Sequence, residues 1–219
     1  MSALADSLKE SKKIILLAFG LLAVSVFGLI LTKQGMNSTN IAPIQQRKTY
    51  TQAEKVLLQG INYGAIIKTN LGNIELDLFE EDAPIAVNNF LFLAKERFYD
   101  NLTFHRVVKG FVIQGGDPEG DGTGDPGYKF QDETSSRQYK KYTLGMANSG
   151  PNTNGSQFFI TTGTISEKNL AALNDGVYTI FGEVTSGFPV VDSIEKVAVD
   201  SNDKPQNDVI IESIQILEN

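Results

Sequence analysis

The stretch "NSGPNTNGSQFFITT" at residues 148–162 begins with turn-forming residues and ends with the composition of a strand. Successive side chains of a strand point to opposite faces, so Gln157 and Phe159 share one face while Phe158 and Ile160 share the other. A strand with phenylalanines on both faces has one face in the core. The other face is covered or forms a pocket wall. Gln157 favours a pocket, because an amide needs hydrogen-bond partners wherever water is excluded.

A second stretch, "FHRVVKGFVIQGGD" at 104–117, predicts two paired strands that are interrupted at its central Lys-Gly. Alternation predicts that Arg106 shares a face with Phe104, and that Gln114 shares another face with Val112. An arginine in an apolar strand is costly unless it is paired or faces a cavity. Arg106 is therefore a candidate site residue, with a plain surface position as the alternative.

The rest of the chain predicts a mostly β domain. Short strands alternate with turn residues, no internal repeat is present, and two segments have clear helical spacing. Many short strands with two helices indicate a β-barrel or a β-sandwich. The predicted elements are a hairpin at 65–79, helices at 84–97 and 166–173, strands at 142–148, 177–184 and 208–217, and either a strand or a short helix at 189–197.

Composition limits the chemistry that the chain can perform. Its 219 residues include no cysteine and one histidine, which excludes disulfides, thiolate nucleophiles and metal sites built from cysteine or several histidines. The formal net charge is −7. Residues 1–59 hold seven basic and three acidic residues, whereas residues 60–219 hold twelve and twenty-three. So acidic a domain argues against binding to nucleic acid, whose phosphates would repel it.

Residues 14–31 form an uncharged apolar run that follows a short basic tail. A helix of this length just crosses a hydrocarbon core of roughly 30 Å, so we predict a transmembrane signal-anchor at 14–32. A cleaved signal peptide is the alternative, although no small-residue cleavage pattern follows the run. The predicted organisation is a basic tail at 1–13, the anchor, a polar linker at 33–59 and a domain at 60–219.

Charges on the two sides of the span bear on its orientation. Three lysines precede the span, and Lys33, Arg47 and Lys48 follow it, so the positive-inside count is nearly balanced. The basic tail directly abuts the apolar run. We therefore expect a single-pass protein with its N-terminus inside and its domain on the extracytoplasmic side.

The glycine-rich acidic loop at 117–128 and the lone histidine raise three further possibilities. The loop matches several EF-hand positions, but Tyr128 occupies the twelfth position, where calcium needs a bidentate glutamate. A phosphate-binding loop is disfavoured, because no strand-to-helix frame surrounds it. A hydrolase triad of His105, Ser156 and an aspartate remains, although no nucleophile-elbow pattern accompanies it.

Three long stretches resemble the cyclophilin family of peptidyl-prolyl cis–trans isomerases. They are "FHRVVKGFVIQGGDPEGDGTG" at 104–124, "MANSGPNTNGSQFFITT" at 146–162 and "YTIFGEV" at 178–184, and the resemblance covers about residues 62–219. It implies a closed eight-stranded antiparallel β-barrel capped by two α-helices. It also implies a monomer that acts on proline-containing polypeptides and uses neither a cofactor nor a metal.

The resemblance also implies the roles of single residues. Arg106 matches the catalytic arginine of the family. Three positions depart from its common pattern: Val112 replaces a methionine, Leu173 is the nearest match to a tryptophan, and Tyr178 replaces a histidine. The implied substrate-binding residues are His105, Phe111, Val112, Gln114, Gly122, Thr123, Ala147, Asn148, Gln157, Phe159, Leu173 and Tyr178.

Isomerisation of X–Pro bonds suits a chain of this composition. The reaction rotates a C–N bond against a barrier of about 18–20 kcal/mol and breaks no covalent bond, so it needs no nucleophile. We expect Arg106 to donate a hydrogen bond to the prolyl nitrogen when the amide twists. The expected function is to assist protein folding at a membrane surface. A proline-peptide-binding chaperone with weak or no catalysis is the alternative. The expected proline pocket is formed by Phe111, Val112, Phe159 and Leu173.

Overall fold

The computed structural model describes residues 48–174 and 178–218, which contain nine strands and three helices. The prediction of eight strands and two helices is therefore wrong in both numbers. The strands are β1 (Tyr63–Thr69), β2 (Gly72–Leu78), β3 (Leu102–Thr103), β4 (Arg106–Val108), β5 (Val112–Gly115), β6 (Thr143–Met146), β7 (Phe158–Thr161), β8 (Ile180–Ser186) and β9 (Ile210–Glu218). The helices are α1 (Pro84–Lys95), α2 (Glu167–Asn174) and α3 (Phe188–Glu195).

All nine strands join one antiparallel sheet in the order β3-β9-β1-β2-β8-β6-β7-β5-β4. The two edge strands, β3 and β4, are separated in the chain only by Phe104 and His105. Three Cα steps of about 3.8 Å span no more than about 11 Å, so the sheet curls to bring its edges near each other. The result is a half-barrel. Closure by direct pairing of the edge strands stays a prediction.

Helix α1 determines which face of β7 belongs to the core. Glu133 caps the helix, because its carboxylate accepts the backbone N–H of Ile85 at 2.9 Å and that of the next residue at 2.8 Å. Phe90 of α1 meets Phe158 of β7 edge-on, with ring centroids 5.7 Å apart. Phe158 therefore points into the core, and its neighbour Phe159 points to the opposite face, as the alternation predicted.

Residues 48–58 lie against α1. The ring of Tyr50 meets that of Phe92 edge-on at 5.0 Å. Two backbone N–H groups of the segment donate to Asn88 Oδ1 at 2.8 and 3.0 Å. The segment falls within the predicted linker at 33–59, so this part of the linker contacts the domain that it precedes.

The predicted signal-anchor at 14–32 lies outside the described residues, and so does the first part of the linker. Within 48–174 and 178–218, no helix is both long enough and apolar enough to cross a membrane.

Candidate active site

The centre of the candidate site is a row of paired residues that runs across four neighbouring strands of the sheet. Arg106 of β4 pairs with Gln114 of β5, and Gln114 pairs in turn with Phe159 of β7. Gly145 of β6 completes the row as the partner of Phe159. Direct partners in antiparallel strands point to the same face, and neighbouring strands lie about 4.8 Å apart. The sheet therefore holds Arg106 and Phe159 on one face, with their Cα atoms about 10 Å apart.

The predicted distribution of side chains between faces is wrong for Phe104 and Gln114 relative to Arg106. Phe104, predicted on the face of Arg106, is fully buried in the main core, whereas the Arg106 side chain is 41% exposed. The chain is irregular between β3 and β4, so alternation does not carry across Phe104 and His105. Gln114, predicted on another face, lies on the same face as Arg106 because the two residues are register partners.

A chain of hydrogen bonds links Arg106 to the acidic loop. Arg106 Nη1 donates to Gln114 Oε1 at 3.3 Å, and Gln114 Nε2 donates to Gln157 Oε1 at 3.0 Å. Gln157 Nε2 then donates to the carbonyl oxygens of Gly122 and Gly124 at 3.1 and 2.9 Å. Both amides use their oxygen and their nitrogen, which fixes their orientation.

A cavity of 270 Å³ opens beside this chain of hydrogen bonds. Its lining is mostly polar, which suits an extended peptide whose amide groups need partners. Gln157 therefore has protein partners and also faces the cavity. Seven of the thirteen residues implied by the resemblance line this cavity: Arg106, Gln114, Gly122, Thr123, Ala147, Asn148 and Gln157.

The residues expected to form the proline pocket belong to one apolar cluster that is separate from the main core. Ala147 packs against this cluster and also lines the cavity, so the two regions adjoin. Tyr178 is 37% exposed and stands edge-on to Phe159, with ring centroids 6.0 Å apart. The exposed ring of Tyr178 thus borders this cluster, which we call the apolar patch and which lies beside the polar cavity. Its members Phe159 and Leu173 are each only 4% exposed. The expected pocket residues in the cluster are Phe111, Val112, Phe159 and Leu173.

Tyr139 is a neighbour of this patch that the sequence did not predict. Its buried ring stacks on Phe159 with centroids 5.6 Å apart and an interplanar angle of 22°, and its hydroxyl donates to the carbonyl of Tyr178 at 3.3 Å. Gly145 makes room for this stack. A Cβ atom there would lie 2.2 Å from the Tyr139 hydroxyl and 2.8 Å from Phe159 Cζ. In the sequence, the one indication of this close approach was a glycine inside the strand predicted at 142–148.

His105 is buried and does not line the cavity. Neither ring nitrogen has a hydrogen-bond partner among the described residues. Burial lowers the pKa of His105, and the negative charges of Asp117 and Asp121 oppose this shift only in part. The hydroxyl of Ser156 donates to the carbonyl of Gly116 at 2.7 Å. The serine and the histidine therefore do not form the hydrogen-bonded pair that a hydrolase triad needs.

The acidic loop folds around one of its own carboxylates. Asp117 is 1% exposed and accepts the backbone N–H groups of Glu119 and Asp121 at 3.0 and 2.9 Å. Asp121 in turn accepts the backbone N–H of Thr123 at 2.9 Å. Within the described ranges, no group of three or more histidine or acidic side chains is placed to hold a metal ion. The loop presents the carbonyl oxygens to which Gln157 donates.

Comparisons with known proteins show which proteins this chain is similar to. The family model described as "Cyclophilin type peptidyl-prolyl cis-trans isomerase/CLD" matches residues 65–216. The chain is 46% identical over 184 residues to peptidyl-prolyl cis-trans isomerase cyp15 of Rhizopus delemar, an alignment that covers 81% of this chain and 28% of that protein. It is 47% identical over 171 residues to peptidyl-prolyl cis-trans isomerase A of Mycobacterium tuberculosis, covering 69% of this chain and 91% of that protein.

Solved structures are also similar. A crystal structure of a cyclophilin type peptidyl-prolyl cis-trans isomerase of Cryptosporidium parvum has a TM-score of 0.66 at 39% identity, and it covers 72% of this chain and 99% of its own. The structure of that protein in the presence of the dipeptide Ala-Pro has a TM-score of 0.65. The chain thus spans less than a third of the length of the Rhizopus relative and nearly the whole of the mycobacterial and Cryptosporidium proteins.

Proposed function

The chain belongs to the cyclophilin-type peptidyl-prolyl cis–trans isomerase family and carries its isomerase domain, and we propose that this domain accelerates rotation about X–Pro bonds with Arg106 as the donor. The observation that carries the proposal is the row in which Gln114 stands between Arg106 and Phe159. We propose that the proline ring packs on the apolar patch with its nitrogen directed toward the guanidinium of Arg106.

The proposed mechanism is selective stabilisation of the twisted amide. In the planar amide the nitrogen lone pair is delocalised, so it is a poor hydrogen-bond acceptor. On twisting, the lone pair localises on the prolyl nitrogen, and Arg106 donates to it. This hydrogen bond is strongest in the transition state, as catalysis requires. The cavity wall at Ala147, Asn148 and Gln157 would hold the peptide on either side of the rotating bond.

Replacing Arg106 tests this proposal. In Arg106→Ala the donor is lost, and one charge-assisted hydrogen bond in a partly desolvated site is worth roughly 2–4 kcal/mol, so the catalysed rate should fall about 30- to 1000-fold. Arg106→Lys should restore little of this rate, because a flexible ammonium does not reproduce the planar guanidinium. The measurement is cis–trans exchange of a Suc-Ala-Ala-Pro-Phe type peptide by NMR.

Arg97→Lys is the control, since Arg97 is 82% exposed and lies outside the cavity lining. Circular dichroism checks that each variant folds. Affinity for the peptide should change much less than turnover, because the hydrogen bond strengthens only on twisting. A folded Arg106→Ala variant with near wild-type exchange would refute the role of Arg106. Wild-type exchange close to the uncatalysed rate would favour the alternative function, a chaperone that binds proline peptides with weak or no catalysis.

We also propose that the protein acts as a monomer at a membrane surface, anchored by residues 14–32 with its domain on the extracytoplasmic side. The uncharged run and the basic tail before it support this location. Alkaline carbonate extraction of membranes tests the anchor, and release of the uncleaved full-length chain into the soluble fraction would refute it. Sedimentation of the detergent-solubilised chain tests the expectation of a single copy.

A further inference from the structure

A turn near the C-terminus contacts Arg106 at a different nitrogen from the one that Gln114 binds. Asp203 Oδ2 lies 3.8 Å from Arg106 Nε, while Nη1 of the same guanidinium donates to Gln114. Both side chains of the ion pair are partly exposed, 41% for Arg106 and 45% for Asp203. The guanidinium therefore has two neighbours, Gln114 on β5 and Asp203, which lies 97 positions after Arg106 in the sequence.

The turn at 200–204 is built to hold Asp203 in place. Asp200 Oδ1 accepts the backbone N–H groups of Asn202 and Lys204 at 2.8 and 3.0 Å. The carbonyl of Asp203 accepts the backbone N–H of Val107, next to Arg106, at 2.8 Å. Asp203 has a φ of 62°, a left-handed conformation that aspartate and asparagine tolerate better than most residues. Backbone contacts thus fix the position from which the carboxylate faces Arg106.

The same turn also reaches the acidic loop. Lys204 Nζ donates to the carbonyl of Gly120 at 3.3 Å, in the loop whose later carbonyls accept from Gln157. The hydrogen-bond chain that starts at Arg106 therefore ends in a loop tied to the turn that carries Asp203. The turn connects the two ends of this chain.

We propose that Asp203 is a positioning residue for Arg106 in the isomerase reaction, an inference that rests on the proposed role of Arg106. The guanidinium is a planar fork of five N–H donors. The guanidinium is tethered to its own side chain at Cδ and contacts Gln114 through Nη1, so it can still turn about the line that joins those two points. The attraction of Asp203 at Nε opposes this turning. The N–H groups that neither partner uses then keep a constant direction toward the prolyl nitrogen, so less ordering is needed in the transition state.

Asp203→Asn separates charge from shape. The variant keeps the size of the side chain, tolerates the left-handed backbone and retains the carbonyl that binds Val107. Partly exposed ion pairs are weak, so we expect kcat/KM for X–Pro exchange to fall about two- to fivefold at low ionic strength. Most of this loss should come from a lower kcat, with KM changed less. Asp208→Asn is the control, because it makes the same change in net charge at an exposed position.

A salt series and a double mutant at Arg106 distinguish a positioning role of Asp203 from a structural defect caused by the substitution. Because salt screens exposed pairs, the wild type and Asp208→Asn should lose activity and approach Asp203→Asn as ionic strength rises from about 0.01 M to 1 M. In the Arg106→Ala background, which removes the group that Asp203 attracts, Asp203→Asn should have no further effect. The inference is overturned if Asp203→Asn equals Asp208→Asn at low salt, if its deficit persists unchanged at high salt, or if the deficit remains in the Arg106→Ala background.

These outcomes are separate from those that test the proposed function. If Arg106→Ala is impaired but Asp203→Asn is not, the role of Asp203 fails while the role of Arg106 stands. If Arg106→Ala exchanges at the wild-type rate, the proposed role of Arg106 fails, and the role of Asp203 fails with it.

Discussion

Replacing Gln157 by glutamate tests whether the chain of hydrogen bonds behind Arg106 contributes to the rate. Glutamate has nearly the same size and keeps an oxygen that can accept from Gln114 Nε2. It has no N–H to donate to the carbonyls of Gly122 and Gly124. Its second carboxylate oxygen would instead face two carbonyl oxygens and be repelled by them. The perturbation therefore releases the acidic loop while it leaves Arg106 itself intact.

The size of the effect follows from the two hydrogen bonds that are lost. They measure 3.1 and 2.9 Å, and a neutral hydrogen bond contributes about 0.5–1.5 kcal/mol net, so the pair contributes about 1–3 kcal/mol. If the loss falls on the transition state, at about 1.4 kcal/mol for each factor of ten, kcat/KM drops about 5- to 150-fold. Any part that falls on the folded state appears as a lower melting temperature instead.

The assay is X–Pro exchange by NMR, with circular dichroism melts of the same samples. Gln215→Glu provides a matched control, because it makes the same chemical change at an exposed position on β9. We expect the control to keep both the rate and the melting temperature of the wild type. A folded Gln157→Glu protein that exchanges peptide within about twofold of the wild-type rate, a difference below about 0.5 kcal/mol, would refute the reasoning.

Two other predictions concern residues beside the site. Gly145→Ala places a Cβ atom 2.2 Å from the Tyr139 hydroxyl and 2.8 Å from Phe159 Cζ, so the stack must shift. Overpacking of this kind costs typically about 1–3 kcal/mol, and an unchanged melting temperature would contradict the close contact. His105 is the one histidine of the chain, so an NMR pH titration follows it without assignment and should give a pKa below about 6.5. The unfolded chain then binds the proton more tightly than the folded chain, so the free energy of unfolding should decrease as the pH falls below about 6.5. A measured pKa of His105 at or above that value would disprove the effect of burial.

Local pattern predicted most of the fold, and it failed where the signal was short or ambiguous. The hairpin at 65–79 and the first helix at 84–97 were predicted within two residues at each end, because alternation and helical spacing are strong over such lengths. Strand β3 has two residues, too few to show alternation. The segment 189–197 allowed a strand or a helix. It forms α3, where Pro189 lies in the first turn and the spacing of Val191 and Ile194 buries both.

The site was predicted less completely, because its geometry depends on contacts between distant segments. The motifs identified Arg106, Gln114 and Gln157. Because the residues before β4 are irregular, Phe104 and Arg106 lie on opposite faces instead of the same face. Only the pairing of β4 with β5 shows that Arg106 and Gln114 are neighbours. Tyr139 reaches Phe159 from a segment without a recognisable motif. Asp203 approaches Arg106 from 97 positions away. No short-range pattern encodes either contact.

The two contacts of Arg106 suit a group that must stay oriented and still donate. A carboxylate in a close bidentate pair would take two N–H groups and offset the positive charge, which would weaken any further donation. The neutral oxygen of Gln114 takes one N–H at 3.3 Å, and Asp203 at 3.8 Å lies beyond hydrogen-bond distance. The guanidinium therefore keeps most of its donors and its charge while both neighbours restrict its motion. Catalysis of X–Pro rotation requires little more than such a fixed donor beside an apolar patch, because no bond is broken and no proton is transferred.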